Sequence, residues 1–92
     1  MPKKITVAEY LATQMAVCGK SQKKIADEAG FSTANVLTMM KQGNTRVPIA
    51  RVPAIAKAVG VDPAKFMRLV LGEYHPEMLE VIEQTLGKLP ED

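Results

Sequence analysis

Two short clusters of hydroxyl, amide and basic side chains flank residues 24–40 of this chain of 92 residues. They are Ser21, Gln22 and Lys23 on one side, and Lys41, Asn44, Thr45 and Arg46 on the other. Groups of these types hold the phosphate oxygens of nucleic acids, and such contacts give affinity and salt dependence but little sequence information. We therefore expect both clusters to contact DNA phosphates, although any single lysine among them can equally be an ordinary solvated charge.

Residues between the two clusters have side chains suited to contact with base edges. The set expected to face outward is Thr33, Ala34, Asn35, Leu37 and Thr38. Threonine hydroxyls hydrogen-bond base edges, an asparagine amide matches adenine, and alanine or leucine makes apolar contact with a thymine methyl. On a helical wheel, Val36, Met39 and Met40 fall on the opposite side and are predicted to be buried. For Asn35 a phosphate or a neighbouring side chain stays open as a partner, and Leu37 has the alternative of packing against the loop.

Small and apolar residues at fixed spacing predict how these side chains are positioned. They are Ile25, Ala26, Ala29, Gly30, Phe31, Val36 and Met39. Ala26 is small where two helix backbones approach, and Gly30 suits a helix end that requires a positive φ. This spacing is typical of a helix-turn-helix, whose second helix enters the major groove of double-stranded DNA.

Start and stop signals predict six helices, and no segment alternates with the period of a strand. A capping box of Thr6 and Glu9 opens the first helix, and Ser21, Ser32 and Asp62 are the N-caps expected for the second, third and fifth. Proline at position 53 is tolerable only in the first turn of the fourth helix. The predicted ranges are about 7–18, 22–29, 33–42, 48–58, 63–73 and 76–87.

The charge of the chain is unevenly distributed. The net charge of +2 divides into +6 for residues 1–60 and −4 for residues 61–92. A basic first part suits a polyanionic partner, and the acidic second part is expected to face away from it; the alternative is a solvated mixture of charges. The length predicts one compact unit, with a DNA-binding domain at 1–74 and a helical extension at 75–92.

Other kinds of chemistry have little support in the sequence. Cys18 lies on an apolar helix stripe, and His75 has no cysteine or histidine companion, so neither a metal nor a cofactor is expected. Glutamates near the C-terminus predict an exposed acidic face and no catalytic pair. No run is apolar enough to span a membrane. We expect a cytoplasmic protein that is not an enzyme.

The residues quoted above resemble the lambda-repressor-like family of DNA-binding domains, of the Cro/CI and xenobiotic-response-element type. The segment Ser21–Gly30 (Ser-Gln-Lys-Lys-Ile-Ala-Asp-Glu-Ala-Gly) looks like the second helix of that family, and Val47–Val61 looks like its fourth helix and the link to its fifth. The resemblance covers about 10–71. It implies an all-α fold, a five-helix lambda-repressor-like bundle with a helix-turn-helix, to which this chain adds a sixth C-terminal helix.

The resemblance also implies roles for individual residues. Gln22 would bind a phosphate and brace the first residue of the recognition helix, Thr33. The base-reading residues it implies are Thr33, Ala34, Asn35 and Thr38. The chain departs from the family where Met40-Lys41-Gln42-Gly43 replaces a frequent Glu-x-Gly, and its base-reading set lacks the frequent glutamines and arginines.

Apolar residues in the last two predicted helices exceed what so small a domain needs. They are Met67, Leu71, Met78, Leu79, Ile82 and Leu86. Pairing them across a two-fold axis would give a homodimer that reads two half-sites; the alternative is a sixth helix folded back on its own domain. The function expected is a small prokaryotic or phage-type transcriptional regulator that represses by occlusion. Two alternatives stay open, the antitoxin of a toxin–antitoxin pair and a helical protein-interaction module.

Overall fold

A computed structural model describes residues 4–90, and its regular secondary structure is entirely helical. The helices are α1 (Val7–Val17), α2 (Gln22–Ala29), α3 (Asn35–Lys41), α4 (Val52–Val59), α5 (Pro63–Tyr74) and α6 (Pro76–Leu86), with a short 3-10 helix (Ile49–Arg51) before α4. No strand occurs within residues 4–90, which confirms the all-α prediction. The predicted DNA-binding domain (1–74) and C-terminal extension (75–92) include residues 1–3 and 91–92, which lie outside the described residues.

Local capping signals place most helix starts as predicted. The Thr6 hydroxyl accepts the amide of Glu9 at 3.0 Å, and the Glu9 carboxylate accepts the amide of Thr6 at 3.1 Å, which confirms the capping box. Ser21 caps α2 by accepting the amide of Lys24 at 3.1 Å. Asp62 caps α5 in the same way through Ala64 at 2.8 Å.

Two helix starts differ from the prediction. Ser32 is not an N-cap, because α3 begins at Asn35 after Ala34, and no side chain caps it. Gly30 ends α2 at φ 84°, and residues 31–34 then form the turn that changes the direction of the chain before α3 begins. The fourth predicted helix divides into the 3-10 helix and α4, and Pro53 occupies the first turn of α4, where a missing amide hydrogen costs no helical hydrogen bond.

The core lies among α1 to α5. Its largest fully buried side chains include Phe66, Leu11, Ile25 and Ile55. The Phe66 ring packs against Tyr10 of α1, with 5.6 Å between ring centroids. Ala26 of α2 is buried, as its small size predicted, and α2 packs mainly against α4.

The sixth helix packs against α5 of its own chain, which is the alternative that the sequence left open. Leu79 of α6 is buried and lies 3.5 Å from where a Cβ would stand on Gly72 of α5. Leu71 is buried as well, so the prediction that Leu71 and Leu79 belong to a dimer interface is wrong. They are covered because α6 starts two residues after α5 ends and turns back onto it. None of the described helices has the length and apolar character that crossing a bilayer requires.

Candidate nucleic-acid interface

Helix α3 presents a different side to solvent from the one predicted. Leu37 has 0% of its surface exposed and Met40 has 1%, whereas Met39 is 40% exposed. Asn35 is also exposed, and Val36 is half-buried. The prediction of Leu37 as an outward, base-reading residue is therefore wrong, and so is the burial predicted for Met39.

The prediction fails because the sequence permits two rotations of α3 about its own axis. Residues 36, 37, 39 and 40 are all apolar, so both Val36 with Met39 and Leu37 with Met40 form an i, i+3 stripe. Packing of α3 against α1 buries the second stripe; in the first stripe Val36 stays half-buried against the core and Met39 is left exposed. Of the predicted base-reading residues, Thr33 and Asn35 are exposed, and Ala34 and Thr38 are half-buried.

Gln22 connects α2 to α3. Its Nε2 donates to the carbonyl oxygen of Ala34 at 2.8 Å and also to the hydroxyl oxygen of Thr38. An amide nitrogen carries two hydrogens, so both donors of Gln22 are used inside the molecule and only the acceptor Oε1 remains. In this conformation Gln22 braces Ala34 and Thr38 rather than Thr33, and its amide nitrogen has no donor left for a phosphate.

The other residues of the first cluster lie at the N-terminus of α2. The Ser21 hydroxyl is used as the helix cap, and Lys23 is exposed. Lys20 lies 2.7 Å and Lys24 3.3 Å from carboxylate oxygens of Glu28. Hydrogen bonds from Lys20 and then Lys24 hold the pKa of Glu28 below its ordinary value. Within residues 4–90 the ion pairs do not involve Lys23, so its positive charge is not neutralised there.

Lys41 lies with the first cluster. Together with Gln22 and Lys20 it lines a shallow recess of about 150 Å³, whose other side is formed by Ala12 and Ala16 of α1. The structure thus brings one residue of the second cluster beside the N-terminus of α2.

The rest of the second cluster lines a separate recess of about 280 Å³, formed by Asn44, Thr45 and Arg46 with the end of α5. Tyr74 organises this loop, because its hydroxyl accepts the amide of Val47 at 3.0 Å. The Arg46 guanidinium stacks over the Tyr74 ring at 4.8 Å from the centroid, a favourable cation–π distance. Tyr74 was missed by the sequence reasoning, since no local periodicity relates it to a loop 27 residues away.

A further cation borders the turn between α2 and α3. The Arg51 guanidinium lies 5.9 Å from the ring centroid of Phe31 and packs closely against Gly30. In the sequence, Arg51 contributes to the basic charge of residues 1–60, and no motif relates it to this turn. Its place beside the turn depends on the 3-10 helix, which ends at Arg51.

Comparison of the chain with protein-family models, curated proteins and solved structures finds no match. The assignment of a function therefore rests on the arrangement of side chains and charges around α2 and α3.

Proposed function

We propose that this protein binds double-stranded DNA through a lambda-repressor-like helix-turn-helix formed by α2 and α3. One observation carries the proposal: Thr33 and Asn35 are exposed at the start of α3, and cations that form no ion pair within residues 4–90 lie both beside the N-terminus of α2 and in the loop after α3. Lys23 and Lys41 are the cations beside the N-terminus of α2, and Arg46 is the cation of the loop. Polar groups between cationic flanks suit base edges between phosphate strands.

The charge distribution supports the same function. Residues 1–60 have a net charge of +6, and α2, α3 and the loop that follows all lie within them. Arg51 adds a cation beside the α2–α3 turn. Repression by occluding a promoter is the regulatory mode that we propose, since occlusion requires nothing beyond DNA binding itself.

A homodimer is part of the proposal, since one recognition helix reads few base pairs and specific binding usually needs two half-sites. The surface left for pairing is the outer side of α6, where Met78 is 50% exposed, Val81 59% and Leu86 80%. Met67 and Ile82 are half-buried at its margin. Isologous contact across a two-fold axis would cover these apolar groups.

The same exposed side of α6 also favours a second candidate function. Apolar residues flanked by Glu77 and Glu80 are suited to a protein partner, as in an antitoxin that holds its toxin through C-terminal helices. A protein-interaction module without DNA binding would use this surface alone.

The test is selection from a random pool of duplexes, followed by affinity measurements at two salt concentrations. We expect a palindromic preferred site and an affinity that falls steeply as salt rises. Arg46→Ala should weaken binding to all duplexes, and so should Gln22→Ala by releasing Ala34 and Thr38 from the brace. Replacing the exposed Thr33 should instead alter the preferred sequence.

Lys57→Ala is the matched control for charge, because it removes an exposed cation that lies on α4, outside both clusters. It should lower affinity less than Arg46→Ala does. If the protein binds no duplex in a salt-dependent way, the proposed function as a transcriptional regulator is excluded and the protein-interaction module is left. A selected site without two-fold symmetry would exclude the two-half-site homodimer.

A further inference from the structure

We propose that Met39 determines sequence specificity by contacting the C5 methyl group of a thymine, next to an adenine read by Asn35. The inference rests on the DNA binding proposed above and adds the class of base recognised, a half-site with A·T pairs facing the first five residues of α3. Sequence patterning assigns Met39 to the core, so the role follows only from the observed orientation of α3.

Asn35 and Met39 are the two most exposed residues of α3, and Met39 has 40% of its surface exposed. They stand four positions apart, which places their side chains next to each other on one helix face. The Asn35 Nδ2 lies 3.8 Å from the Met39 sulfur, so the two side chains form a single outward unit. This face has one amide and one flexible apolar chain at its centre.

Neighbouring residues of α3 are less available for base contact. Leu37 and Met40 are in the core, and the Thr38 hydroxyl already accepts a hydrogen bond from Gln22. The burial of Leu37 and Met40 also fixes the rotation of α3, so Met39 is held facing outward. Reading along α3 therefore falls to Asn35 at its first position and Met39 at its fifth, with Thr33 preceding the helix.

The chemistry of the two side chains selects an A·T pair. An asparagine amide donates to adenine N7 and accepts from adenine N6, whereas guanine offers acceptors at both places. A thioether has no strong donor or acceptor, but it is flexible and makes favourable apolar contacts. Thymine is the one base whose major-groove edge carries a methyl group, so it is the base that an exposed methionine complements best.

A double-mutant cycle tests this inference, in which one chemical group is removed from the DNA and one side chain is removed from the protein. In the selected duplex each thymine is replaced in turn by deoxyuridine, which removes only the methyl group, and binding is measured for the unaltered protein and for Met39→Ala. We expect one such replacement to weaken binding of the unaltered protein about fourfold, the value of one buried methyl-sized group. The same replacement should leave binding of Met39→Ala unchanged.

The adenine arm uses 7-deazaadenine, which lacks the N7 acceptor. One such replacement should weaken binding of the unaltered protein but not that of Asn35→Ala. Val17→Ala is the matched control, since it removes exposed apolar methyl groups from the end of α1, outside both clusters and α6, and should keep full sensitivity to both modified bases. Circular dichroism of each variant verifies that it is folded.

The possible results separate the two proposals. If Met39→Ala is as sensitive to deoxyuridine as the unaltered protein, or if no thymine methyl matters to either, the role of Met39 is refuted while DNA binding stands. If the unaltered protein binds no duplex in a salt-dependent way, the proposed function and this inference both fail.

Discussion

At the scale of single residues, the side chain of Gln22 determines how α2 and α3 are held together. Its Nε2 satisfies two acceptors on α3, the Ala34 carbonyl and the Thr38 hydroxyl, so one side chain fixes both the start and the middle of the helix. Glutamate at this position would have the same length but no donor. Gln22 therefore acts through geometry, by fixing the orientation of α3 relative to α2, and with it the face of α3 that we propose for DNA contact.

Leu37 and Met39 allow the rotation of α3 to be tested by stability alone. Leu37→Ala should lower the free energy of unfolding by about 2–5 kcal/mol, because it leaves a cavity in the core. Met39→Ala should change it by no more than about 0.5 kcal/mol, since the side chain faces solvent. Chemical denaturation monitored by circular dichroism measures both. The reverse order of the two effects would mean that Met39 is the buried residue.

These two residues also mark where prediction from the sequence ends. The capping box at Thr6 and the caps at Ser21 and Asp62 are predicted correctly because each depends on groups within three residues. The rotation of α3 is not, since its apolar residues permit two registers and the choice is made by α1. Tyr74 is missed for the same reason, as its partner is distant in the chain.

At the scale of elements, two glycines have opposite functions. Gly30 ends α2 with φ 84°, in the left-handed region, and its turn aims α3. Gly72 lies inside α5 without a positive φ. Its lack of a side chain only increases the conformational freedom of the unfolded chain. The first is required by the backbone, whereas the second is not.

The pair of variants Gly30→Ala and Gly72→Ala separates these functions. Gly30→Ala should cost about 1–2 kcal/mol in left-handed strain, and its methyl group would also displace the Arg51 guanidinium, 2.6 Å from the Cβ position. Gly72→Ala should stabilise the protein by about 0.5–1 kcal/mol, since its Cβ meets Leu79 at an ordinary 3.5 Å. Thermal unfolding compares them; destabilisation by both changes would contradict the packing of α6 on α5.

At the scale of the whole molecule, Glu83 joins the C-terminal part to the rest. Its carboxylate lies 3.2 Å from Arg68 of α5 and accepts the amide of Leu89 at 2.9 Å. The Leu89 amide and then the Arg68 guanidinium hold the pKa of Glu83 below its ordinary value. A group whose pKa is lower in the folded state stabilises the fold above the unfolded-state pKa and loses that effect as the pH falls through the folded-state pKa.

Glu83→Gln should therefore lower the melting temperature at pH 7. The difference from the unaltered protein should shrink as the pH falls from the unfolded-state pKa of a glutamate, about 4.3, through the lower pKa of Glu83 in the folded state. Thermal unfolding between pH 7 and pH 2 measures this. Glu77→Gln removes the same charge from an exposed position on α6 and is the control. An equal, pH-independent effect of the two variants would mean that Glu83 acts only through net charge.

The end of α5 also holds two remote backbone amides. Glu73 accepts the amide of Val7 at 2.8 Å, and the adjacent Tyr74 accepts that of Val47 at 3.0 Å. Both hydrogens are thus protected by side chains that lie directly before α6. The two amides can therefore report on α6 by hydrogen–deuterium exchange. A partner that binds α6 and loosens the end of α5 would accelerate deuterium uptake both at the start of α1 and in the loop after α3. Binding of a partner to the C-terminal helix would thus be detected at two distant points of the chain.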